Sequence, residues 1–418
     1  MALSFRFHSP YLAQFRQDPL PLFVEGLGAA RQTLELCTES KGVEFLIAKV
    51  STLREQGVRI RWVVSLDELA EKEAAEAIQK LRSLFRDHAL TENEEWRIIK
   101  AAEAKLHPAF CVIDRAKVIW VSHPLSLEGL YLQESASISS ESSEVAWAFQ
   151  RGFQTYWDDV ETINREITKT PFLPGLVSST EGMPVGPDQM ASVYFLPSDQ
   201  DVIEKRLIET AIEAEESIFF ALPCLENPEL VDALEDAAKN GIAVQGVLDA
   251  HQAHVDHFWR APTLRQLALS GKIRFSRGFA KKGKKLLDLV QLKLLVSDSR
   301  FVFCAAERFD SRRTNTQADV RWRGESAWAL DSISIAKQAI QAIEAWKELA
   351  HQGGHTFAGW GYRDRYPFPK DWASVETRVV AKVKKVATKV AVKVVKKVAA
   401  KLKTKAKKPA SKKTRKAA

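Results

Sequence analysis

Apolar and polar positions follow the same pattern twice along the chain, at a constant spacing of 184 residues. Residues 58–64 and 242–248 each alternate between apolar and other side chains, which predicts a β-strand in both places. Each run follows a glycine, Gly57 or Gly241, that ends an amphipathic helical pattern, as a helix C-cap does. The chain therefore contains two copies of one folding unit.

Each copy continues with the same order of predicted elements: strand, helix, strand, helix, and then a pair of strands. The strand pair covers 109–113 with 117–121 in the first copy and 292–296 with 300–304 in the second. Strands that alternate with helices predict a mostly parallel sheet covered by helices. We therefore expect an α/β fold made of two lobes related by a pseudo-twofold axis.

Composition divides the chain into five segments. The first half spans 1–160, a linker rich in Pro, Gly and Ser spans 161–190, and the second half spans 191–350. An aromatic segment, 351–375, is expected to pack across the two halves as a strap. Stacking on nucleic-acid bases is the alternative for that strap. A basic tail, 376–418, follows and is expected to be partly helical or disordered.

Both copies carry candidate catalytic residues at their strand pair. The first reads His107-x-Ala109-x4-Asp114 and the second reads Gln291-x-Lys293-x4-Asp298. Both are incomplete forms of one His-x-Lys-x4-Asp pattern, because the first has lost the lysine and the second has lost the histidine.

This pattern resembles that of the phospholipase D superfamily, and the resemblance covers roughly residues 30–350. It implies that two motifs, one from each half, form a single phosphodiester site at a pseudo-twofold interface. One family histidine attacks phosphorus, the other protonates the leaving oxygen, and the lysines hold the phosphate oxygens. The resemblance thus implies that His107 and Lys293, with the carboxylates Asp114 and Asp298, are catalytic residues.

Further residues are candidates for holding phosphate. Ser122 lies where family members have a serine after the motif, whereas the second copy has no hydroxyl at the matching position. Gln291 replaces the second histidine. Lys284 and Lys285 belong to a basic loop just before the second motif, and Arg308 follows that motif.

The missing motif residues predict a weakened enzyme. A positioned general acid is worth about 10² to 10⁴ in rate, and glutamine does not supply one. A lost oxyanion ligand costs about another 10² to 10³. We therefore expect a degenerate site that binds phosphodiesters better than it cleaves them. The alternative is an active phosphodiesterase, either a nuclease or a phospholipase or cardiolipin synthase-like enzyme, with His107 as the nucleophile.

The charge distribution separates the tail from the rest of the chain. Of the 61 basic residues, 17 lie in 377–418, which has no acidic residue. The other 44 face 53 acidic residues, so the body has a net charge of −9 and the tail one of +17. The tail resembles the carboxy-terminal tails of linker histones and bacterial histone-like proteins, which implies non-specific binding to nucleic acid.

Lysines that neutralise phosphates release counterions, so this binding is expected to weaken steeply with salt and to read no base sequence. The lysines predicted to contact nucleic acid are Lys382, Lys385, Lys389, Lys393, Lys396, Lys397, Lys407, Lys408, Lys412 and Lys413. Valines recur at spacings of three and four from Val379 to Val398, which predicts a basic amphipathic helix. An anionic phospholipid surface is the alternative partner, although no aromatic residue follows Trp372.

Other features exclude several classes of protein. We expect no cofactor and no metal, since the family chemistry needs neither and the run His251-x2-His254-x2-His257 is a weak ligand signal. No transmembrane run or signal peptide is predicted. The cysteines lie in or beside predicted core strands and are expected to be reduced, which indicates a cytoplasmic protein, and the tail adds a nucleoid association. They are Cys37, Cys111, Cys224 and Cys304.

Overall fold

The structure is a computed structural model that describes most of the chain before residue 353. The described residues are 3–9, 15, 19–66, 71–99, 105–106, 109–122, 125, 135–158, 180–195, 200–222, 225, 227–249, 261–276, 292–305, 323–324 and 326–352. Met1–Ala358 forms one compact unit and Gly359–Ala418 a second unit. The basic tail, the strap after residue 352 and the histidine run 251–257 lie outside the described residues.

The described helices are divided between the two lobes. In the first lobe they are α1 (Pro19–Leu27), α2 (Ser40–Glu55), α3 (Glu71–Asp87) and α4 (Ser143–Asp158). In the second they are α5 (Gln200–Ile212), α6 (Pro228–Lys239), α7 (Pro262–Leu269) and α8 (Ile333–Leu349).

The strands of the first lobe are β1 (Leu3–His8), β2 (Thr33–Glu39), β3 (Arg59–Ser65), β4 (Trp96–Ile99), β5 (Lys105–Leu106), β6 (Ala109–Ile113), β7 (Lys117–Val121) and β8 (Ser135–Ser140). Those of the second lobe are β9 (Thr180–Gly186), β10 (Gln189–Phe195), β11 (Ser217–Leu222), β12 (Ala243–Asp249), β13 (Ile273–Ser276), β14 (Lys293–Ser297), β15 (Phe301–Ala305), β16 (Arg323–Gly324), β17 (Ser326–Asp331) and β18 (His351–Gln352).

The two large sheets have the same strand order. The first runs β1-β8-β7-β6-β2-β3-β4, and the second contains the matching run β10-β17-β15-β14-β11-β12-β13 with β9 and β18 at its edges. Both sheets are mixed, because only β2-β3-β4 and β11-β12-β13 are parallel. The expectation of mostly parallel sheets is therefore wrong. The strand pair that carries the motif enters each sheet antiparallel and brings two further antiparallel strands with it.

The spacing of 184 residues is retained in the pairing register. Thr33 pairs with Arg59 as Ser217 pairs with Ala243, and Ala109 pairs with Val121 as Lys293 pairs with Ala305. After the strand pair the spacing becomes 190, since Val118 pairs with Ser140 whereas Val302 pairs with Leu330. The two lobes are thus copies of one fold, as the repeat predicted.

The described residues form three apolar cores around the two large sheets. One core belongs to the outer side of the first sheet and one to the outer side of the second. The third is shared by both lobes, where α4 packs on the first sheet and also on β9 and β10, while α8 packs on the second sheet and on β1. The lobes are therefore joined by a continuous apolar core.

The hairpin of β9 and β10 changes one predicted boundary. The composition predicts a linker over 161–190, but residues 180–190 form β9 and the start of β10 at the edge of the second sheet. Gly182, Pro184 and Gly186 gave this segment the composition of a linker, although glycine and proline are also tolerated in edge strands.

Candidate functional site

Buried polar side chains collect at one edge of the first sheet. β2 and β3 end there with Thr38, Glu39 and Ser65, and the neighbouring antiparallel strands contribute Ser122 and Ser135. At the end of β1, His8 pairs with Ser135 and is also buried. Ligands of open α/β sheets bind outside the carboxyl ends of parallel strands, so this edge is the expected place for a site. We call it the polar edge.

The second lobe places Lys293 at the matching edge of its own sheet. Lys293 is the first residue of β14 and is only 4% exposed. Lysine is rarely so buried without a partner, and Lys293 does interact within the protein. Its counterpart in the first lobe, Ala109, begins β6. Only one of the two equivalent positions therefore carries an ammonium group.

The two edges meet where the lobes are in contact. The Trp120 indole nitrogen donates to the Ser326 hydroxyl at 3.0 Å, and the Trp120 and Trp328 rings lie 6.4 Å apart in an edge arrangement. Trp120 is near the end of β7, two residues before Ser122, and Ser326 begins β17. Residues 105–106 also pair with residues 323–324 of the second lobe as β5 and β16. The backbones of β5 and β16 therefore form a further contact between the lobes.

The motif aspartates lie at the opposite end of their strands. Asp114 follows β6 and Asp298 follows β14, at the tight turns into β7 and β15. Asp114 and Arg115 have φ values of 49° and 56°, and Asp298 and Ser299 have φ values of 50° and 54°. Two consecutive left-handed residues are typical of the type I′ turn that connects hairpin strands.

Each motif carboxylate accepts hydrogen bonds from several backbone amides. Asp114 accepts hydrogen bonds from the amides of Arg31, Gln32 and Thr33 at 2.7–3.2 Å. Asp298 accepts the equivalent bonds from residues 215–217 at 2.8–3.2 Å. These contacts fasten the hairpin turn to the start of β2 or β11, which is a structural role. The catalytic role implied by the resemblance stays a prediction.

The electrostatics of the two aspartates agree with these contacts. Partial burial acts to raise the pKa of Asp114, but the amide hydrogen bonds act in the opposite direction and prevail, so the pKa is lowered. The pKa of Asp298 is lowered in the same way. Both side chains are therefore held as carboxylates.

Ser122 lies on the polar edge. Its hydroxyl oxygen accepts a hydrogen bond from the Ala136 amide at 2.8 Å, which leaves the hydroxyl proton as a donor. The remaining predicted site residues lie outside the described part of the chain. They are His107, Gln291, Lys284, Lys285, Arg308 and the tail lysines.

The sequence interpretation missed the other polar residues of this edge. Thr38 accepts a hydrogen bond from the Trp62 indole nitrogen at 2.8 Å, and Glu39 is 6% exposed. A signal was present, since Thr38, Glu39 and Ser65 interrupt apolar runs where two parallel strands end. His8 gave no such signal, because its position depends on the pairing of β1 with β8.

Several other observations limit the chemistry of the described residues. Cys37, Cys111 and Cys304 are buried free thiols whose pKa is raised by burial. Within the described ranges, no three His, Cys, Asp or Glu side chains come together in a way that would hold a metal ion. None of the helices described here has the length and apolarity needed to cross a bilayer.

Comparisons with known proteins concern the fold. No protein-family model matches the chain, and no curated protein does either. The chain is similar to phosphatidylserine synthase from Haemophilus influenzae Rd KW20, with a TM-score of 0.56 and 12% identity over 94% of each chain. It is also similar to polyphosphate kinase from Porphyromonas gingivalis, with a TM-score of 0.53 and 10% identity over 91% of this chain and 55% of that one.

At such low identities these similarities establish the fold. The strand order, the repeated register and the structural similarity agree on one architecture. The chain has two α/β lobes of one fold, and the polar edge of the first lobe and the edge that carries Lys293 both lie at the junction of the lobes.

Proposed function

We propose that this protein binds phosphodiesters at the junction of its two lobes, in a degenerate phospholipase D-like site, and associates with nucleic acid through its basic tail. The observation that carries the proposal is the buried Lys293 at the start of β14, in register with Ala109 of the first lobe. A duplicated fold that keeps a buried ammonium group in one copy alone is expected to retain an anion site there.

Phosphate binding needs cationic and hydrogen-bonding groups near each other. Lys293 supplies fixed charge, and Ser122 supplies a hydroxyl donor on the polar edge. His107 follows β5, which pairs with the second lobe, and is proposed to complete the site from the first lobe. For the motif aspartates, the contacts at the hairpin turns support a structural role, because their oxygens already accept hydrogen bonds from backbone amides, and this proposal does not depend on the catalytic role that the resemblance implies.

Catalysis is proposed to be weak for two chemical reasons. Gln291 stands where the second histidine would protonate the leaving oxygen, and Ala109 stands where a second lysine would hold an oxygen of the phosphate. The first loss costs about 10² to 10⁴ in rate. Binding tolerates these losses better than turnover does, since the remaining charge still attracts phosphate.

The nucleic-acid partner is proposed from charge. A tail of +17 joined to a body of −9 gains binding energy from counterion release on a polyanion. A purified-protein assay tests both parts of the proposal. The full chain is incubated with plasmid, single-stranded DNA and phosphatidylglycerol vesicles, and retention and cleavage are measured over a range of salt concentrations.

Two variants of the full chain separate the outcomes. In the first, His107→Ala, DNA retention is expected to be unchanged. Cleavage is also expected to be unchanged, because the unaltered chain is expected to cleave very little. In the second, the ten predicted nucleic-acid-binding lysines of the tail are replaced by Gln, and retention is expected to fall steeply. Efficient cleavage of DNA or lipid that His107→Ala abolishes would show an active phosphodiesterase instead. Retention by vesicles in place of DNA would reassign the tail to a membrane surface.

A further inference from the structure

A second cationic surface lies on the first lobe, at the end of the sheet opposite to the polar edge. It is a cleft of about 420 Å³ whose lining includes Arg59, Arg61, Arg115 and Arg151, with the carboxylate Glu94 also present. Arg59 begins β3 and Arg115 lies in the turn after β6, so both are at the far end of strands whose other end is the polar edge. At about 3.4 Å per residue, the length of β6 separates the two places by more than about 13 Å. We call this surface the arginine cleft.

The arginines of the cleft differ in how they are held. Arg61 is an internal part of the fold, since its guanidinium pairs with the buried Glu35 and donates to the Gln154 side-chain oxygen at 2.8 Å. Arg59 and Arg115 are exposed, and neither has a carboxylate partner among the described residues. These two guanidinium groups are therefore available to an anion from outside.

The second lobe shows that the fold does not require these charges. The residues equivalent to Arg59, Arg61 and Arg115 are Ala243, Gln245 and Ser299, which are uncharged. The same strands and the same turn are therefore built without arginine. Arg115 also occupies a left-handed conformation with a φ value of 56°, which is unfavourable for a residue other than glycine or asparagine.

An exposed aromatic side chain lines the same cleft. Trp147 on α4 is 52% exposed, and the Arg151 guanidinium carbon lies 4.6 Å from the centroid of its ring. An indole that is half exposed beside guanidinium groups offers a flat surface for stacking next to a phosphate-binding fork. The counterpart of Trp147 in α8 is Lys337, so the aromatic group is also particular to the first lobe.

We infer that the arginine cleft binds single-stranded nucleic acid, with Arg59 and Arg115 on its phosphates and an unpaired base stacked on Trp147. A duplex is a poorer fit, because its bases are already stacked and paired. The inference rests on the proposed nucleic-acid association and adds a contact on the body, separate from the tail and from the site at the lobe junction. The tail then supplies affinity, and the cleft selects unpaired strands.

Photo-cross-linking of the full chain tests this assignment. A short oligothymidylate that contains 5-iododeoxyuridine is bound and irradiated, and the linked peptide is identified by mass spectrometry. A cross-link at Trp147 is expected. The yield should fall about tenfold or more in the double variant Arg59→Gln with Arg115→Gln, because two phosphate contacts are lost. The matched control removes two exposed arginines elsewhere, Arg86→Gln with Arg265→Gln, and should keep the yield.

Other results would overturn the inference without touching the proposed function. Cross-links confined to the tail or to the lobe junction would leave nucleic-acid association intact and remove the cleft from it. An equal yield with the duplex form of the oligonucleotide would remove the selectivity for unpaired strands. Binding of phosphatidylglycerol vesicles that the cleft variant loses and the control variant retains, without a Trp147 cross-link, would assign the cleft to a membrane. Tail-dependent DNA retention is measured separately, so the two failures are distinguishable.

Discussion

Individual residues of the motif occupy different ends of their strands, although they belong to one sequence pattern. Lys293 and Ser122 lie at the junction edge of their sheets, whereas Asp114 and Asp298 lie at the far turns. A strand of five residues separates the two ends. One short motif therefore places residues at both ends of a strand, the proposed binding group at one end and the hairpin turn at the other.

Replacement of Asp114 by alanine is expected to destabilise the first lobe. The variant loses a charged acceptor for the amides of residues 31–33 and leaves these donors without their partner. We expect a loss of about 2 to 4 kcal/mol in the free energy of unfolding. Denaturant unfolding measures it, and Asp188→Ala is the matched control. Asp188 has a similar φ value of 54° in an exposed turn and makes no comparable amide contact in the described structure.

The same contacts predict a pH dependence of stability. The pKa of Asp114 and that of Asp298 are lowered in the folded protein, so the carboxylates stabilise it fully above the unfolded pKa of about 4. This stability is lost as the pH falls through the lower folded pKa. The Asp114→Ala variant should therefore show a weaker loss of unfolding free energy between neutral and acidic pH than the wild type. Equal acid sensitivity of the two proteins would contradict the structural role.

The sequence was informative about residues where the two copies differ. Comparison of the copies identified Lys293 and Ala109 as equivalent positions, and the pairing register confirms that equivalence. The arginine cleft was not predicted, because Arg59, Arg115 and Trp147 are far apart in the chain and come together only when α4 packs beside β3. No local pattern carries that information.

At the level of elements, helix ends were the clearest signals. The amide of Gly57 donates to the Arg54 carbonyl, and the amide of Val58 donates to the Leu53 carbonyl. These bonds form the Schellman motif at the end of α2, with Gly57 at a φ value of 89°. Gly241 repeats the arrangement at the end of α6, with a φ value of 88°. The predicted glycine caps are confirmed in both lobes.

Substitution of Gly57 is expected to cost stability through the backbone alone. A Cβ added there would meet no atom within 4 Å, so no steric contact contributes. Gly57→Ala should lower the free energy of unfolding by about 1 to 2 kcal/mol, since a left-handed conformation is unfavourable for alanine. Gly57→Asn is the paired variant and should cost less, because asparagine tolerates this region. Equal losses for both variants would argue against a backbone origin.

The direction of strand pairing was less accessible than the elements themselves. Alternation and helix patterns identified the strands and their order along the chain, but a strand has the same period in parallel and antiparallel sheets. The antiparallel pairing of β6 with β2 and of β14 with β11 therefore could not be predicted from the pattern. The hairpin of β9 and β10 also has the composition of a linker, because its glycines and proline occur both in loops and in edge strands.

For the whole molecule, the shared core makes the two lobes one structural body. Phe149 of α4 lies 5.2 Å from the ring of Trp328 and 5.2 Å from that of Phe195, both in the second lobe. Trp120 adds a buried hydrogen bond across the junction. The proposed site at this junction therefore lies on a scaffold that is packed from both lobes.

Truncation of Trp328 is expected to weaken both lobes together. Trp328→Ala should lower the free energy of unfolding by about 3 to 5 kcal/mol, because a fully buried indole is removed. Hydrogen exchange should then accelerate in β6 and β7 of the first lobe as well as in β14 and β15. Acceleration confined to the second lobe would show that the lobes unfold independently.

The most direct measurement of the central claim is the affinity of the full chain for a thymidine dinucleotide, measured by calorimetry. A single phosphodiester gains little from the tail, so its binding reports on the junction site. We expect Lys293→Met and His107→Ala each to weaken binding about tenfold, which corresponds to about 1.4 kcal/mol, whereas the exposed Lys272→Met leaves it unchanged. Equal affinities in all three variants and the wild type would contradict a shared anion site at the lobe junction.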